Sequence, residues 1–462
     1  MPLSPTFPAR NARATGAKTG ADQPRLTGAV FLLTLAAAVA ALVLQQNLLS
    51  MFGVDYLGPG SNPLVKIHPS TYLTVAAAAW FVMSGDIGKQ FNALLFSSPR
   101  MTFYTLSAAT LTLYVALAIR REVSIPIDTW IVPGLLLALL SYTNERQRHS
   151  LALLVHLILL ANSAAGVYEF FTGNRVIPGA QVLVDYASGE VYDLTRWQDW
   201  RAMGIFGHPL TATLITAIVA VTMTAQIAFD KATPLRGFAL AHSLIALPCF
   251  GGRTSVAVCV VLLALILVVR GAQFMSGKGA SMVSIVAGSL VILFMPAVLV
   301  GAYNAGAFDN FLARLEDDSG SAATRLVAVK MLELATPIEL WFGDLNNTLA
   351  YRQRILGTTW GVEVFWIAFI LQYGLIIAGL VFAALGAMLV EIAKQRGPIA
   401  YWPMICFVLA LSSGTGLASK TQTLSMLVVL MCAMFPLRAA TRPAAHRESA
   451  RPARPLTPSF QR

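Results

Sequence analysis

Twelve stretches of this 462-residue chain are apolar enough to cross a bilayer, and that repetition dictates what it can fold into. Membrane hydrocarbon satisfies no backbone N–H or C=O, so a crossing segment must satisfy its own, as a helix does. A crossing helix needs about 20 apolar residues. Stretches near 27–50, 69–84, 102–119, 127–143, 150–172, 207–229, 237–251, 254–270, 282–304, 361–391, 401–418 and 422–437 approach that length. Composition agrees: 56% of residues are hydrophobic and 12% charged, against about 25% charged in soluble domains. The expected fold is an all-α polytopic membrane protein of about 12 helices over residues 27–437.

Residues 1–26 and 438–462 are rich in Pro, Ala and Arg without an apolar period, and are expected to be disordered tails. The first span exceeds the apolar core of a signal peptide, about 7–15 residues, so it is expected to stay as an anchor. The net charge of +11 is mostly topological. Most of the 33 Lys and Arg fall in the tails and in alternate loops, which the positive-inside rule places in the cytoplasm with both termini. Nucleic-acid binding is therefore not expected. Cys249, Cys259, Cys406 and Cys432 all lie in apolar segments, with neither disulfide nor metal spacing. No metal, nucleotide loop or cofactor motif is read from the chain.

Two outside loops are long, near 173–206 and 305–360. The first alternates from Arg175 to Tyr192, broken at Ser188-Gly189, as a short hairpin would. It ends in Trp197, Asp199, Trp200 and Arg201, suited to the membrane interface. The second is expected to hold helices over Asp309–Leu315 and Ser321–Ala335, the latter capped by Ser319 or Ser321.

Counting crossings from a cytoplasmic N-terminus puts Glu169, Arg201, His208, Arg253, Arg325, Glu363 and Lys420 at one face, the outer one. Ionisable groups at membrane depth are costly and usually paired or functional. In Arg201-Ala-Met-Gly-Ile-Phe-Gly-His-Pro-Leu, Gly204 and Gly207 allow close backbone approach to a ligand, and Pro209 suits the first helical position. His208 then falls near a helix N-terminus, which favours phosphate, with Arg201 available as a clamp. The alternative is a plain loop-to-helix junction. Arg253 lies in the tight Gly251-Gly252-Arg253 turn, as a ligand contact or as a residue reaching headgroups. Arg325 opposes the dipole of its helix, so either a ligand or Asp317 or Asp318 holds it there. Glu363 opens a span, either as a structural cap or as a base; Glu169 is its rival, while His156 and His242 read as interior groups.

Four stretches together, RAMGIFGHPL (201–210), GGRTS (251–255), SAATRLVAVKMLELATPIELWFG (321–343) and VEVFWIAFILQYGL (362–375), resemble the O-antigen ligase and Wzy-like polysaccharide polymerase superfamily, more narrowly its VpsF-type exopolysaccharide proteins. The resemblance implies a GT-C-like helical bundle with two periplasmic loops in a bacterial inner membrane. It implies a glycosyltransferase that takes an undecaprenyl-pyrophosphate-linked glycan and needs no metal or nucleotide. It also implies other polysaccharide export or assembly proteins as partners. Arg201 and Arg325 match pyrophosphate-binding arginines, with Arg253, Gly204 and Gly207 beside them. Glu363 stands where ligases carry a His-Asn pair, which makes Glu363, or else His208, the expected base and favours polymerase over ligase. A ligase, a lipid-linked glycan flippase and a catalytically inert assembly partner are the competing expectations.

Overall fold

The computed structural model describes residues 26–56, 62, 64–178, 182–184, 191–193, 201–276, 321–356, 362, 364–412, 414 and 416–437. The two tails, the span near 282–304, the helix over Asp309–Leu315, Trp197, Asp199, Trp200, Asp317, Asp318 and Glu363 lie outside the described residues.

The chain begins with α1 (Gly28–Val43), α2 (Gln46–Met51), α3 (Pro69–Met83) and α4 (Ile87–Leu95). Next, α5 (Pro99–Tyr114) runs into a π-helical turn (Val115–Ile119). The short α6 (Ser124–Pro126) passes through a second π turn (Ile127–Ile131) into α7 (Val132–Ser141), and α8 (Glu145–Thr172) follows. The expected hairpin is present as β1 (Val182–Val184) against β2 (Val191–Asp193), antiparallel with Leu183 opposite Tyr192. Then come α9 (Pro209–Phe229), α10 (Pro234–Phe250) and α11 (Arg253–Met275). They are followed by the loop helices α12 (Ser321–Glu333), α13 (Pro337–Phe342) and α14 (Leu349–Ile355), and by α15 (Phe365–Arg396), α16 (Tyr401–Leu411) and α17 (Thr423–Met434).

Among the described residues, six helices are long and apolar enough to cross a membrane: Pro99–Ile119, Ser124–Ser141, Glu145–Thr172, Pro209–Phe229, Arg253–Met275 and Phe365–Arg396. Five shorter apolar helices accompany them. Their boundaries follow local chemistry. Ser98 accepts the Met101 N–H with Pro99 next to it, and Asn144 and Gln147 close a capping box at the start of α8. Gly173 and Gly251 end α8 and α10 in the left-handed conformation that side chains resist. The centre is α9 and α17: every residue of α17 is buried, and α9 packs against α10, α11 and α16. By contrast α11 leaves most of its surface outward, as a helix facing hydrocarbon does.

The bundle has two polar ends. At one, Arg100 pairs with Glu391 at 3.4 Å, Gln226 Nε2 donates to the Met434 carbonyl at 2.8 Å, and Arg396 donates to the Phe435 carbonyl at 2.6 Å. At the other, Asn47 Nδ2 donates to the Gly207 carbonyl at 2.8 Å, Tyr56 Oη to Asp128 at 2.8 Å, and Lys420 Nζ reaches Glu122 at 3.1 Å. Arg121 meets Asp344 at 2.5 Å there too. One departure from the sequence reading concerns the long span Phe365–Arg396, which is broken at Gly374 (φ 80, ψ 163). A Cβ at Gly374 would strike the Trp341 carbonyl, and one at Gly343 the Gln372 carbonyl; the Asp344 N–H donates to Gln372 O at 3.2 Å. Two glycines thus let the α13 turn dock backbone to backbone in the break.

Candidate functional site

The second polar end gathers most of the residues the sequence singles out, and α8 organises them. Asn162 and Glu169 are seven residues apart, so two helical turns put them on one face. Glu169 is fully buried. Its Oε1 accepts the Val176 N–H at 3.0 Å, and its Oε2 accepts those of Met203 at 2.6 Å and Gly204 at 3.0 Å, with Arg175 at 3.5 Å. One turn-pair below, Asn162 Oδ1 accepts the N–H groups of Ile205 at 3.0 Å and Phe206 at 3.2 Å. These two side chains hold nearly the whole backbone of 203–206. With both oxygens occupied by donors, Glu169 is a scaffold carboxylate and not a base.

The glycines serve that scaffold. Gly204 has φ +56 and Gly207 φ +67, both left-handed. At Gly204 the closely approaching group is the Asn162 side chain, and the Gly207 carbonyl accepts from Asn47. Close packing within the protein therefore accounts for both glycines, where the sequence pointed to a ligand.

From this held loop, α9 starts as expected. Pro209 occupies the first helical position, and His208 Nδ1 accepts the Leu210 N–H at 3.2 Å. Since Nδ1 accepts, the ring proton sits on Nε2, which makes neutral His208 a donor to whatever lies beyond it. Nearby protein, and next the Arg201 charge, lower its pKa from the ordinary value, which favours the neutral ring.

Arg201 and Arg253 come together through their backbones. The Arg201 carbonyl accepts from Arg175, and the Ala202 N–H reaches the Cys249 carbonyl at 3.4 Å, so the loop runs beside the end of α10. Gly251 and Gly252 turn the chain, the Gly252 N–H bonds Thr213 Oγ1 at 3.1 Å in α9, and Arg253 opens α11. Arg201, His208 and Arg253 thus lie at one end of the bundle, His208 exposed and the two arginines half-buried. Arg325 is exposed in the first turns of α12, on the helix face that buries Ala328 and Met331; α12 packs on α15. A groove of about 370 Å³ lies between α8 and α10, lined by Leu160, Ser163, Val167, Tyr168, His242 and Ile245. His242 Nδ1 meets Ser163 Oγ at 2.9 Å in its wall.

Lys420 belongs to a different arrangement. Its ammonium touches the Tyr56 carbonyl at 3.0 Å, the Lys66 carbonyl and Glu122, and lies 4.1 Å from the Tyr56 ring centroid. Beside it, buried Asp128 accepts from Tyr56 Oη, from Thr71 Oγ1 at 2.6 Å and from the His68 N–H at 3.2 Å. His68 Nδ1 accepts the Ser70 N–H, so Nε2 donates to the Leu44 carbonyl at 2.6 Å and ties α3 to the end of α1. Sequence reasoning missed this network; a lone carboxylate, Asp128, inside an apolar run was its available signal. Among the described residues no three His, Cys, Asp or Glu side chains converge as a metal site would require. Compared with known protein families and with curated proteins, the chain matches none.

Proposed function

We propose that the protein is a membrane glycosyltransferase joining lipid-linked repeat units of an exported polysaccharide, working on the periplasmic face of a bacterial inner membrane. The observation that carries this reading is that hydrogen bonds of the backbone bring Arg201, His208 and Arg253 to one end of the bundle, where α8 and α10, the two helices this end is built on, also line an apolar groove. A diphosphate on a long hydrocarbon chain has the same two-part chemistry: an anion and an apolar tail. The cations and the His208 Nε2–H would hold the pyrophosphate. An acceptor sugar hydroxyl would lose its proton to Glu363 and attack the donor's anomeric carbon, and the bond to the pyrophosphate would break. Arg325 would complete the stabilisation of the departing diphosphate.

The test is reconstitution of the purified protein with a lipid-linked repeat unit, scoring chain extension on the carrier. A positioned donor to developing charge contributes about 10²–10³ in rate; Arg201→Ala and Arg325→Ala should each lose that much while inserting normally. Glu363→Gln keeps shape and removes basicity, so it should stop extension. Normal polymer from both arginine variants ends the clamp reading, and transfer only to a terminal acceptor would make the protein a ligase.

A further inference from the structure

Among the described residues, an apolar edge on the loop between α11 and α15 is left exposed. Ile338 is 66% exposed, Trp341 54% and Phe342 47%, all on α13, and Tyr351 and Ile355 stand out from α14. The polar groups of the same helices are turned to one another. Thr336 and Glu339 form a capping box, Arg352 donates to both Glu339 oxygens at 2.8 and 2.9 Å, and Thr348 Oγ1 donates to Glu339 at 2.8 Å. Asp344 takes the N–H groups of Thr348 at 2.6 Å and Leu349 at 3.2 Å. What the two helices leave facing outward is mainly apolar and aromatic, with Arg354 on α14 and the exposed Asn346 and Asn347 in the turn between them.

The level of this edge follows from helix geometry. The Arg100–Glu391 pair marks one polar end of the bundle. From Glu391 to Gly374 is 17 residues, about 26 Å at 1.5 Å per residue. From Arg100 to Arg121, which binds Asp344, is 21 residues, about 31 Å. Both lengths approach a hydrocarbon thickness of about 30 Å. The α13 turn is locked to Gly374 and Asp344 to Arg121, so Trp341–Asp344 sits one hydrocarbon thickness from the opposite polar end. Tyr114 Oη also donates to the Phe342 carbonyl, and its neighbours Leu113 and Leu117 are 60% and 73% exposed on the flank of a crossing helix. The Tyr114–Phe342 bond ties α13 to that flank.

We propose that α13 and α14 form an interfacial anchor whose Ile338–Trp341–Phe342 edge lies in the bilayer at the boundary of headgroups and acyl chains. Aromatic residues favour that boundary, and short amphipathic helices lie in its plane. The anchor does not depend on the polysaccharide reading. The occupant is lipid, because the edge stands at hydrocarbon-boundary level on the outer flank of the bundle.

Nitroxide labels at Ile338→Cys, Trp341→Cys and Phe342→Cys test this in the full chain, reconstituted in vesicles of phosphatidylcholine and phosphatidylglycerol. The four native cysteines are buried and so are poor labelling sites. Collision with oxygen, which concentrates in lipid, is compared with collision with a water-soluble nickel chelate. Leu117→Cys serves as the lipid reference and exposed Asp55→Cys as the aqueous one. The three α13 sites should give an oxygen-to-nickel ratio several-fold above Asp55→Cys and close to Leu117→Cys. A ratio equal to that of Asp55→Cys overturns the anchor. So does low collision with both probes, which would mean that protein covers the edge. Three separate sites, all exposed, keep the reading independent of any one variant's folding.

Discussion

Replacing Glu169 by Gln should release the loop that carries Arg201 without dismantling the bundle. The carboxylate is fully buried and accepts three backbone N–H groups, from Val176, Met203 and Gly204, with Arg175 beside it. An amide keeps one carbonyl oxygen. Placed at the Oε2 position it still serves Met203 and Gly204, but its NH₂ then faces the Val176 N–H, donor against donor. Hydrogen bonds to a charged group contribute about 1.5–3 kcal/mol, those between neutral groups about 0.5–1.5, and an orphaned buried donor costs about 1–3. Weakening two bonds and losing the third comes to about 4 kcal/mol, close to 10³ in the local opening equilibrium. Hydrogen exchange read by mass spectrometry on the protein in lipid nanodiscs checks it. Peptides covering residues 202–207 should exchange about 10³-fold faster, while peptides from α9 and α17 keep their protection. Unchanged exchange at 202–207 would falsify the scaffold role, since among the described residues Glu169 is the acceptor for the Met203 and Gly204 amides. Asn162→Ala should act on the same segment, and the two changes combined should fall short of their sum, as couplings within one network do.

Gly374→Ala should destabilise the protein by about 3 kcal/mol or more, since φ is +80 and a Cβ would meet the Trp341 carbonyl. Gly379→Ala, five residues on in the same helix with open space at the Cβ, should instead stabilise by up to about 1 kcal/mol; thermal unfolding in detergent distinguishes them, and equal effects would contradict the docking described. Burial first, and the Lys420 charge after it, push the His68 pKa down to about 4, below the ordinary 6.5. The unfolded chain therefore binds more protons between those values. Stability from neutral His68 is complete above pH 6.5 and is lost as pH falls toward 4, by about 3 kcal/mol. Denaturation midpoints measured from pH 7 to 4 should show a shallower loss for His68→Gln, and an equal slope would exclude the mechanism.

How far the sequence reached depended on the range of the interaction. Apolar runs identified the spanning helices, because crossing hydrocarbon is a local requirement on about 20 residues. Short polar signals also worked: Pro209 and His208 opened α9, the two glycines at 251–252 made the turn before Arg253, and the alternation after Arg175 made the hairpin. What escaped was partnership across the bundle. Nothing local to Asn162 or Glu169 says that a loop some 35 to 45 residues later will donate to them. Gly374 looks like an ordinary glycine in a membrane helix until Gly343 arrives against it. Lys420 shared an end with the other ionisable groups, as topology required, yet its ammonium is consumed by carbonyls and Glu122.

The two π turns, Val115–Ile119 and Ile127–Ile131, have a consequence for tracing the ancestry of the chain. Each holds a residue beyond what an α turn would, and π turns often mark positions retained for use. Removing one residue from the second would rotate everything before it by about 100° relative to α7 and swing Asp128 off the partners it now meets. A cousin with one residue fewer at these points would be expected to have lost the turn itself, so single gaps there would record a change of helical phase and not a shortened loop.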